Sequence, residues 1–341
     1  MSTRASFSFD RHEWYEQTHE EVVDPDRRIV DPHHHLWRMP GADYLLDDLL
    51  ADTGSGHRVE QTVFGECHAS YRDDGPEHLR PVGETEFVAA IAEAGDTGPG
   101  ARIAGIVAHA DLRLGGSADG HLDEVLDAHV VAGNGRFRGI RHAISHPHHP
   151  EVLAIPGRAP AGLAADEAFR SGVRRLGERG HTYESWHYHY QIPEFIDLCR
   201  SAPGTVIVLD HFGTPLGVGP YADQRDEIHA AWKADIAELA RCPNVVAKLG
   251  GLAMPDNGYG WHLADRPPTS DEVVAAHRSH YLHTIDCFGP ERCMFESNFP
   301  VDRISVSYRV LWNAFKKMVA DFTDAERAAM FSATAERIYS L

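Results

Sequence analysis

The feature that most constrains this chain is a regular alternation of short β-rich runs with amphipathic helical stretches. The candidate strands are Arg28–Asp31, Gln61–Glu66, Ile103–His109, Phe137–His142, His181–Trp186, Thr205–Asp210, Val245–Leu249 and Cys293–Ser297. The helical patterns are Glu84–Glu93, His121–Val131, Asp166–Glu178, Pro193–Arg200, Ala231–Arg241, Asp271–Cys287, Ser305–Ala320 and Asp324–Ile338. Strands that alternate with helices indicate βαβ units and a parallel sheet. Eight such pairs in 341 residues predict an α/β fold, a single-domain (β/α)8 TIM barrel.

The long segments between these elements suggest where a site would lie. Residues 146–165 and 250–270 are rich in Pro and Gly and are predicted to be long βα loops. In a barrel such loops lie on the C-terminal face, where active sites are built. The barrel is predicted to span residues 28–341, and residues 1–27 are predicted to form an N-terminal arm. A doubly wound open sheet is the alternative, but no GxGxxG follows an early strand to support it.

Charge and cysteine content exclude several classes of function. The chain has 32 Lys and Arg against 51 Asp and Glu, a formal net charge of −19, which disfavours nucleic acid and anionic membrane surfaces as partners. Five cysteines without CxxC spacing indicate reduced thiols and a cytoplasmic location. The N-terminus lacks the apolar run of a signal peptide, and no stretch approaches the roughly 20 apolar residues of a membrane span. A small-molecule substrate and a homo-oligomer, most simply a homodimer, are expected.

The strongest local signal is the segment IVDPHHHLW at residues 29–37, in which a short apolar strand runs into a His-x-His pair. Side chains alternate along an extended chain, so His33 and His35 share one face. Two imidazoles at this spacing can bind one metal ion or one substrate oxygen at the C-terminal end of the strand. The alternative interpretation is a His-rich surface turn.

This segment resembles the first-strand signature of the amidohydrolase superfamily, in the branch of sugar lactonases and 2-pyrone-4,6-dicarboxylate lactonases. Further segments agree with that branch in order: GIRH at 139–142, VLDHFGTP at 208–215, AKLGGL at 247–252 and MFESNFPVD at 294–302. The resemblance covers roughly residues 28–341.

The resemblance implies a set of site residues. His33, His35 and His211 are expected to line the site and to hold a divalent metal, with zinc as the expected ion and a metal-independent reaction as the alternative. Arg141 is expected to hold a substrate carboxylate, because a guanidinium fork meets a carboxylate bidentately. Lys248 either contacts substrate or forms an inward ion pair. Trp37 is predicted to contact substrate.

The eighth strand departs from the family pattern. Members of this branch carry an aspartate in a motif like SDWP, where this chain has Asn298. An amide has no useful basicity, so Asn298 is predicted to orient water or substrate rather than to act as the general base. Glu296 shares a face with Asn298, and either Glu296 or Glu66 is predicted to be the base. Each could instead form a structural ion pair with Lys248, Arg141 or Arg72.

The segment His181–His189 is aromatic and His-rich. Alternation predicts that Tyr183, Ser185, His187 and His189 face the barrel interior. His187 and His189 are then additional ligands or substrate contacts, or polar walls of the pocket without a catalytic role.

Two other groups of residues attract attention less strongly. His146, His148 and His149 lie in a Pro-punctuated loop. Cys67 is interpreted as a buried structural thiol rather than a nucleophile.

These patterns predict a hydrolase that opens a lactone, or a related cyclic ester, of a small carboxylated or sugar-derived substrate by attack of water. A metal-dependent decarboxylase or hydratase of the same superfamily is one alternative, favoured by Asn298. A catalytically impaired barrel that binds a ligand is the other.

Overall fold

A computed structural model describes residues 11–341, except for the side chain of His12, and it confirms the predicted (β/α)8 barrel. The strands are β1 (Arg28–His34), β2 (Arg58–Gly65), β3 (Arg102–Ala108), β4 (Phe137–Arg141), β5 (Thr182–Ser185), β6 (Ile207–Leu209), β7 (Val245–Leu249) and β8 (Cys293–Phe295). The helices are α1 (His12–Tyr15), α2 (Leu46–Thr53), α3 (Val82–Gly95), α4 (His121–Ala132), α5 (Glu167–Glu178), α6 (Ile192–Ser201), α7 (Arg225–Leu239), α8 (Ser270–Phe288), α9 (Tyr308–Met318), α10 (Asp324–Ala328) and α11 (Thr334–Tyr339).

Each strand pairs in parallel with the next strand of the chain, in the order β1 to β8. The residues after β8 bring the sheet back to β1. Asn298 N donates to His33 O at 3.0 Å, and His35 N donates to Phe299 O at 2.7 Å. The barrel is therefore almost closed, and the closure holds the ends of β1 and β8 side by side.

Two apolar layers stabilise the barrel. The inner layer fills the lower part of the barrel with inward side chains and with Tyr339 from the C-terminal helix. Its strand residues are Val30, Val63, Val107, Val208, Val246 and Met294. The much larger outer layer lies between the strands and the surrounding helices. Both layers are removed from water, as the alternation of side chains in a packed barrel requires.

Several elements differ from the sequence prediction. Helices α1 and α2 were not predicted. Helix α7 begins six residues before the predicted start at Ala231. The predicted helix Asp324–Ile338 is divided, because a π-helical turn at Ala329–Ala333 separates α10 from α11. Strands β2 to β6 and β8 end one or two residues before the predicted end, whereas β1 continues three residues past it.

The predicted loops follow β4 and β7 and carry only short 3-10 turns. Part of the predicted arm, residues 1–10, lies outside the described residues. From residue 11 onward the chain lies on the β7 loop, where Arg11 donates to His262 O and Trp14 donates to Ala264 O. Among residues 11–341 no helix has both the length and the apolar character that crossing a bilayer requires.

Candidate active site

A layer of charged side chains lies directly above the inner apolar layer, at the C-terminal ends of the strands. Its members are Arg141 on β4, Glu184 on β5, Asp210 after β6, Lys248 on β7 and Glu296 after β8. All five are buried. On β6, β7 and β8 the charged residue lies two positions beyond an apolar inward residue, so strand alternation places the charged layer one step above the apolar one.

The His33 and His35 side chains meet at the end of β1, as predicted. Their Nε2 atoms lie 3.2 Å apart. His35 Nδ1 lies 2.8 Å from Gly65 O, and because a carbonyl only accepts, this nitrogen carries the proton and Nε2 carries a lone pair. Burial, followed by Arg141, lowers the pKa of His35 to about 3, so the ring is neutral. Burial and Lys248 also hold the pKa of His33 well below its usual value.

Lys248 is one of the two buried cations of the charged layer. Its ammonium lies 2.5 Å from Glu184 Oε2, 3.0 Å from His33 Nδ1 and 3.5 Å from Asp210 Oδ1. Burial opposes the charge, but the carboxylates outweigh it and raise the pKa of Lys248. Tyr339 donates to the other oxygen of Glu184 at 2.5 Å. Of the two roles considered for Lys248, the structure shows the inward ion pair.

His211 is oriented by Glu296. His211 Nδ1 lies 2.6 Å from Glu296 Oε1, and Glu296 Oε2 lies 3.0 Å from His33 Nδ1. The carboxylate can only accept, so His211 presents the lone pair of Nε2. Two glycines of the AKLGGL motif make this contact possible. A Cβ on Gly251 would lie 2.4 Å from His211 Nδ1, and one on Gly250 would lie 2.2 Å from Glu296 O.

Arg141 is already bound by the protein's own carboxylates. Its Nε donates to Asp210 Oδ2 at 2.7 Å, and its Nη1 donates to the backbone and side-chain oxygens of Glu66, both at 3.1 Å. The predicted fork for a substrate carboxylate is thus largely occupied. The Glu66–Arg141 ion pair is one of the structural pairings considered above. The pairing with Arg72 was wrong, because Arg72 binds Glu86 on the protein surface.

Asn298 is held by a carboxylate that the sequence did not single out. Its Nδ2 donates to Asp302 Oδ1 at 2.9 Å, and Ala253 N donates to Asp302 Oδ2. Burial raises the pKa of Asp302 to about 7. Asn298 and His211 both have positive φ angles, 56° and 51°. Backbone in this region is uncommon for such residues and is concentrated at functional sites.

The predicted inward face of β5 was wrong. Glu184 points into the barrel, whereas Tyr183 points outward, packs on Phe169 of α5 and donates to His142 O. Which side chains of β5 face inward follows from its register with β4, in which Glu184 pairs with Arg141. Alternation counted along β5 alone could not show this register.

The other predicted contact residues lie around the charged layer. His187 is buried against Phe195 of α6 with Nδ1 3.2 Å from Ser185 Oγ. His189 accepts from Leu216 N and packs on Tyr221, on the β6 side. Trp37 stacks on His35 at 6.1 Å and donates to Ala42 O. Of Trp37, His187 and His189, Trp37 is the residue with a described contact to a first-strand histidine, His35.

The charges of the site are unbalanced. Four carboxylates surround two cations. The carboxylates are Glu66, Glu184, Asp210 and Glu296, and the cations are Arg141 and Lys248. The carboxylates therefore outnumber the cations, and burial raises the pKa of Glu184, which lessens the difference when Glu184 takes a proton. Buried charge without a partner is costly, so the site favours an additional cation.

The residues also fit a divalent metal by geometry. Two imidazole nitrogens bound to one zinc ion at 2.0–2.1 Å lie about 3.3 Å apart, close to the 3.2 Å between His33 and His35. His33, Asp210 and His211 form one group of possible donors here, whose ligand atoms lie within 4.8 Å of one another. Lys248 already lies against His33 Nδ1 and Asp210, so the Nε2 side of the two first-strand histidines is the part open to an ion.

Sequence reasoning missed Glu184, Asp210 and Asp302. The first two carried a signal, since each is a lone acidic residue at the end of an otherwise apolar or aromatic strand. Asp302 follows the strand by seven residues and reaches Asn298 only because the chain turns back.

A parallel barrel with paired first-strand histidines and a carboxylate-bound histidine at its C-terminal end has the architecture of a barrel enzyme with its active site at the carboxyl ends of the strands. The chain belongs to the amidohydrolase family, whose model, described as Amidohydrolase, matches residues 30–341.

Relatives cover almost the whole chain. The uncharacterised protein y4mH of Sinorhizobium fredii is 30% identical over 92% of this chain and 99% of that protein. L-fucono-1,5-lactonase of Burkholderia multivorans is 28% identical over 92% of this chain and 96% of the enzyme. A crystal structure of an amidohydrolase from Burkholderia multivorans with bound Zn superposes with a TM-score of 0.70 at 25% identity, covering 92% of this chain and 99% of that one. The comparisons therefore support a hydrolase related to lactonases.

Proposed function

We propose that this protein opens the ring of a neutral, sugar-type lactone by attack of water on the carbonyl carbon. The observation that carries the proposal is the 2.6 Å contact of His211 Nδ1 with Glu296, which orients Nε2 as a base at the barrel mouth. The relationship to L-fucono-1,5-lactonase supports the reaction class.

His211 takes the proton of the attacking water at Nε2, and Glu296 positions the ring and stabilises the imidazolium that forms. The water oxygen bonds to the carbonyl carbon. The bond from that carbon to the ring oxygen then breaks, and the ring oxygen leaves as an alcohol with the proton returned by His211. Asn298 uses its amide nitrogen on Asp302, so its oxygen is available to orient the water.

A divalent ion, with zinc as the expected metal, fits the Nε2 side of His33 and His35. When bound, it would polarise the lactone carbonyl as a Lewis acid. The chain's own contribution there is to orient both rings with Nε2 toward the ion, through Gly65 O at Nδ1 of His35 and Glu296 Oε2 at Nδ1 of His33.

The substrate class follows from the state of Arg141. Because Arg141 is bound by Glu66 and Asp210, it offers no free guanidinium fork to a substrate carboxylate. A neutral lactone does not need such a partner. The same argument disfavours the decarboxylase alternative, whose substrate must carry a carboxylate.

The test is a panel of neutral sugar lactones and pyrone carboxylates assayed by pH-stat with wild type and His211→Gln. Wild type is expected to open neutral lactones at least about 10-fold faster than the charged ones. The proposal fails if neither class is opened, or if His211→Gln is as active as wild type. Release of carbon dioxide from aromatic acids would favour the decarboxylase, and ligand binding without turnover would favour the impaired barrel.

A further inference from the structure

A second cluster of ligand atoms lies beside the charged layer, at the ends of β2 and β3. It consists of Glu66, His68 and His109, each of which offers one donor atom within 4.8 Å of the others. His68 Nε2 lies 3.4 Å from Glu66 Oε2, a spacing that suits two ligands of one ion at about 2.0–2.2 Å. The rings of His68 and His109 are 4.8 Å apart.

The partners of the second ring nitrogens allow both imidazoles of this cluster to turn a lone pair toward Glu66. His109 Nδ1 lies 3.1 Å from Arg141 O, a pure acceptor, so its Nε2 carries the lone pair. His68 Nδ1 lies 2.7 Å from Tyr71 OH, which can accept that proton and leave His68 Nε2 free to bind. Partners of this kind on the second ring nitrogen are what metal-binding imidazoles require.

Glu66 supplies an independent indication of a ligand. Its Oε1 is bound by Arg141, but its Oε2 is buried without a hydrogen-bond partner among residues 11–341. Glu66 is only 2% exposed, so this oxygen cannot be satisfied by bulk water. A buried carboxylate oxygen left unpaired is costly, and it points toward His68.

The backbone that carries the cluster is preorganised. His68 and Ser70 have φ angles of 60° and 54°, which non-glycine residues rarely adopt. Glu84 holds this turn by accepting from Cys67 N at 3.1 Å and from Ala69 N at 2.7 Å. The strain places the imidazole of His68 over Glu66 without requiring a change of backbone on binding.

We propose that Glu66, His68 and His109 form a second cation site, which takes a divalent transition metal of the zinc class. Two imidazoles and one carboxylate suit such ions, whereas Ca²⁺ and Mg²⁺ prefer oxygen ligands. Three protein ligands leave a coordination position open, and the 47% exposed side chain of His68 places that position at the solvent side of the mouth. The proposal is independent of the lactonase reaction, because it needs only binding.

The experiment is titration of chelator-treated full-length protein with Co²⁺ in competition with a chromophoric chelator, followed by visible absorption. His109→Gln is expected to bind one equivalent fewer than wild type, with affinity for that equivalent lowered on the order of 100-fold or more. The double variant His33→Gln/His35→Gln is expected to keep the equivalent. Far-UV circular dichroism checks that each variant is folded.

A matched control addresses the exposed cluster of His78, His121 and Glu124. If His78→Gln rather than His109→Gln removes the equivalent, or if His109→Gln binds as many ions as wild type, the proposal is wrong. If His109→Gln does not fold, His68→Gln replaces it as the test, because His68 is more exposed. That variant must lose the same equivalent of Co²⁺. Failure to hydrolyse any lactone would leave these binding results unaffected.

Discussion

The two sides of the barrel mouth use the same residue types under different conditions. The closed side, defined by His33, His211, Lys248 and Glu296, is at most 2% exposed, and its imidazoles contact protein groups. The open side, defined by Glu66, His68 and His109, keeps one histidine in solvent and one buried oxygen without a partner. Burial and hydrogen bonds therefore fix the orientation of the rings on the closed side, whereas on the open side the ring of His68 is exposed to solvent.

Lys248→Met should lower the free energy of unfolding more than the other substitutions, because it removes the cation of the closed side. The substitution leaves Glu184 and Asp210 without their shared cation, and removing one partner of a buried ion pair costs about 3–5 kcal/mol. Urea unfolding followed by circular dichroism measures this loss. The double variant Lys248→Met/Glu184→Gln should recover part of it. A loss below about 1 kcal/mol would mean that Lys248 is not the ion that balances this side.

His211→Gln should lower kcat for the best lactone by about 10³-fold, because a general base is lost. This corresponds to a rise of about 4 kcal/mol in the activation free energy. Glu66→Gln, the matched change on the open side, should lower kcat by less than about 10-fold. Steady-state kinetics of both variants compares the two sides directly. The reverse order of effects would move the base from His211 to Glu66.

Glu84→Gln should change how the stability of the protein depends on pH. Burial, with Glu66 nearby, raises the pKa of Glu84 to about 8 from an unfolded value near 4.5. The stability associated with this proton is full below pH 4.5 and is lost as the pH rises through 8. The glutamine variant carries no such proton, so it should gain on wild type by a few kcal/mol, on the order of 1.4 per pKa unit, between pH 5 and pH 8.5. Urea unfolding at both pH values tests this. An identical pH dependence of the two proteins would contradict it.

His68→Asn should have the smallest effect on stability. The side chain is nearly half exposed, and asparagine tolerates the left-handed backbone of this position. The free energy of unfolding should stay within about 0.5 kcal/mol of the wild-type value. Thermal melting checks this, and a much larger loss would show that the open side is a structural network like the closed one.

Much of the fold followed from the sequence, because alternating hydrophobic patterns have only a few ways to bury their apolar faces. All eight predicted strands overlap observed strands. The prediction failed where local periodicity ends, as at β5. There the inward residue is Glu184, and the pairing with β4 sets that choice rather than the strand's own pattern.

By itself, the sequence determined the eight strands and the His33–His35 pair, since both depend on spacing along the chain. Only the tertiary structure decided which charges meet. Arg141, Lys248 and Glu296 are separated by many residues in the chain, and each reaches its partner because parallel strands end at one face of the barrel. Their state of charge also follows from burial, a property of the assembled barrel rather than of any segment.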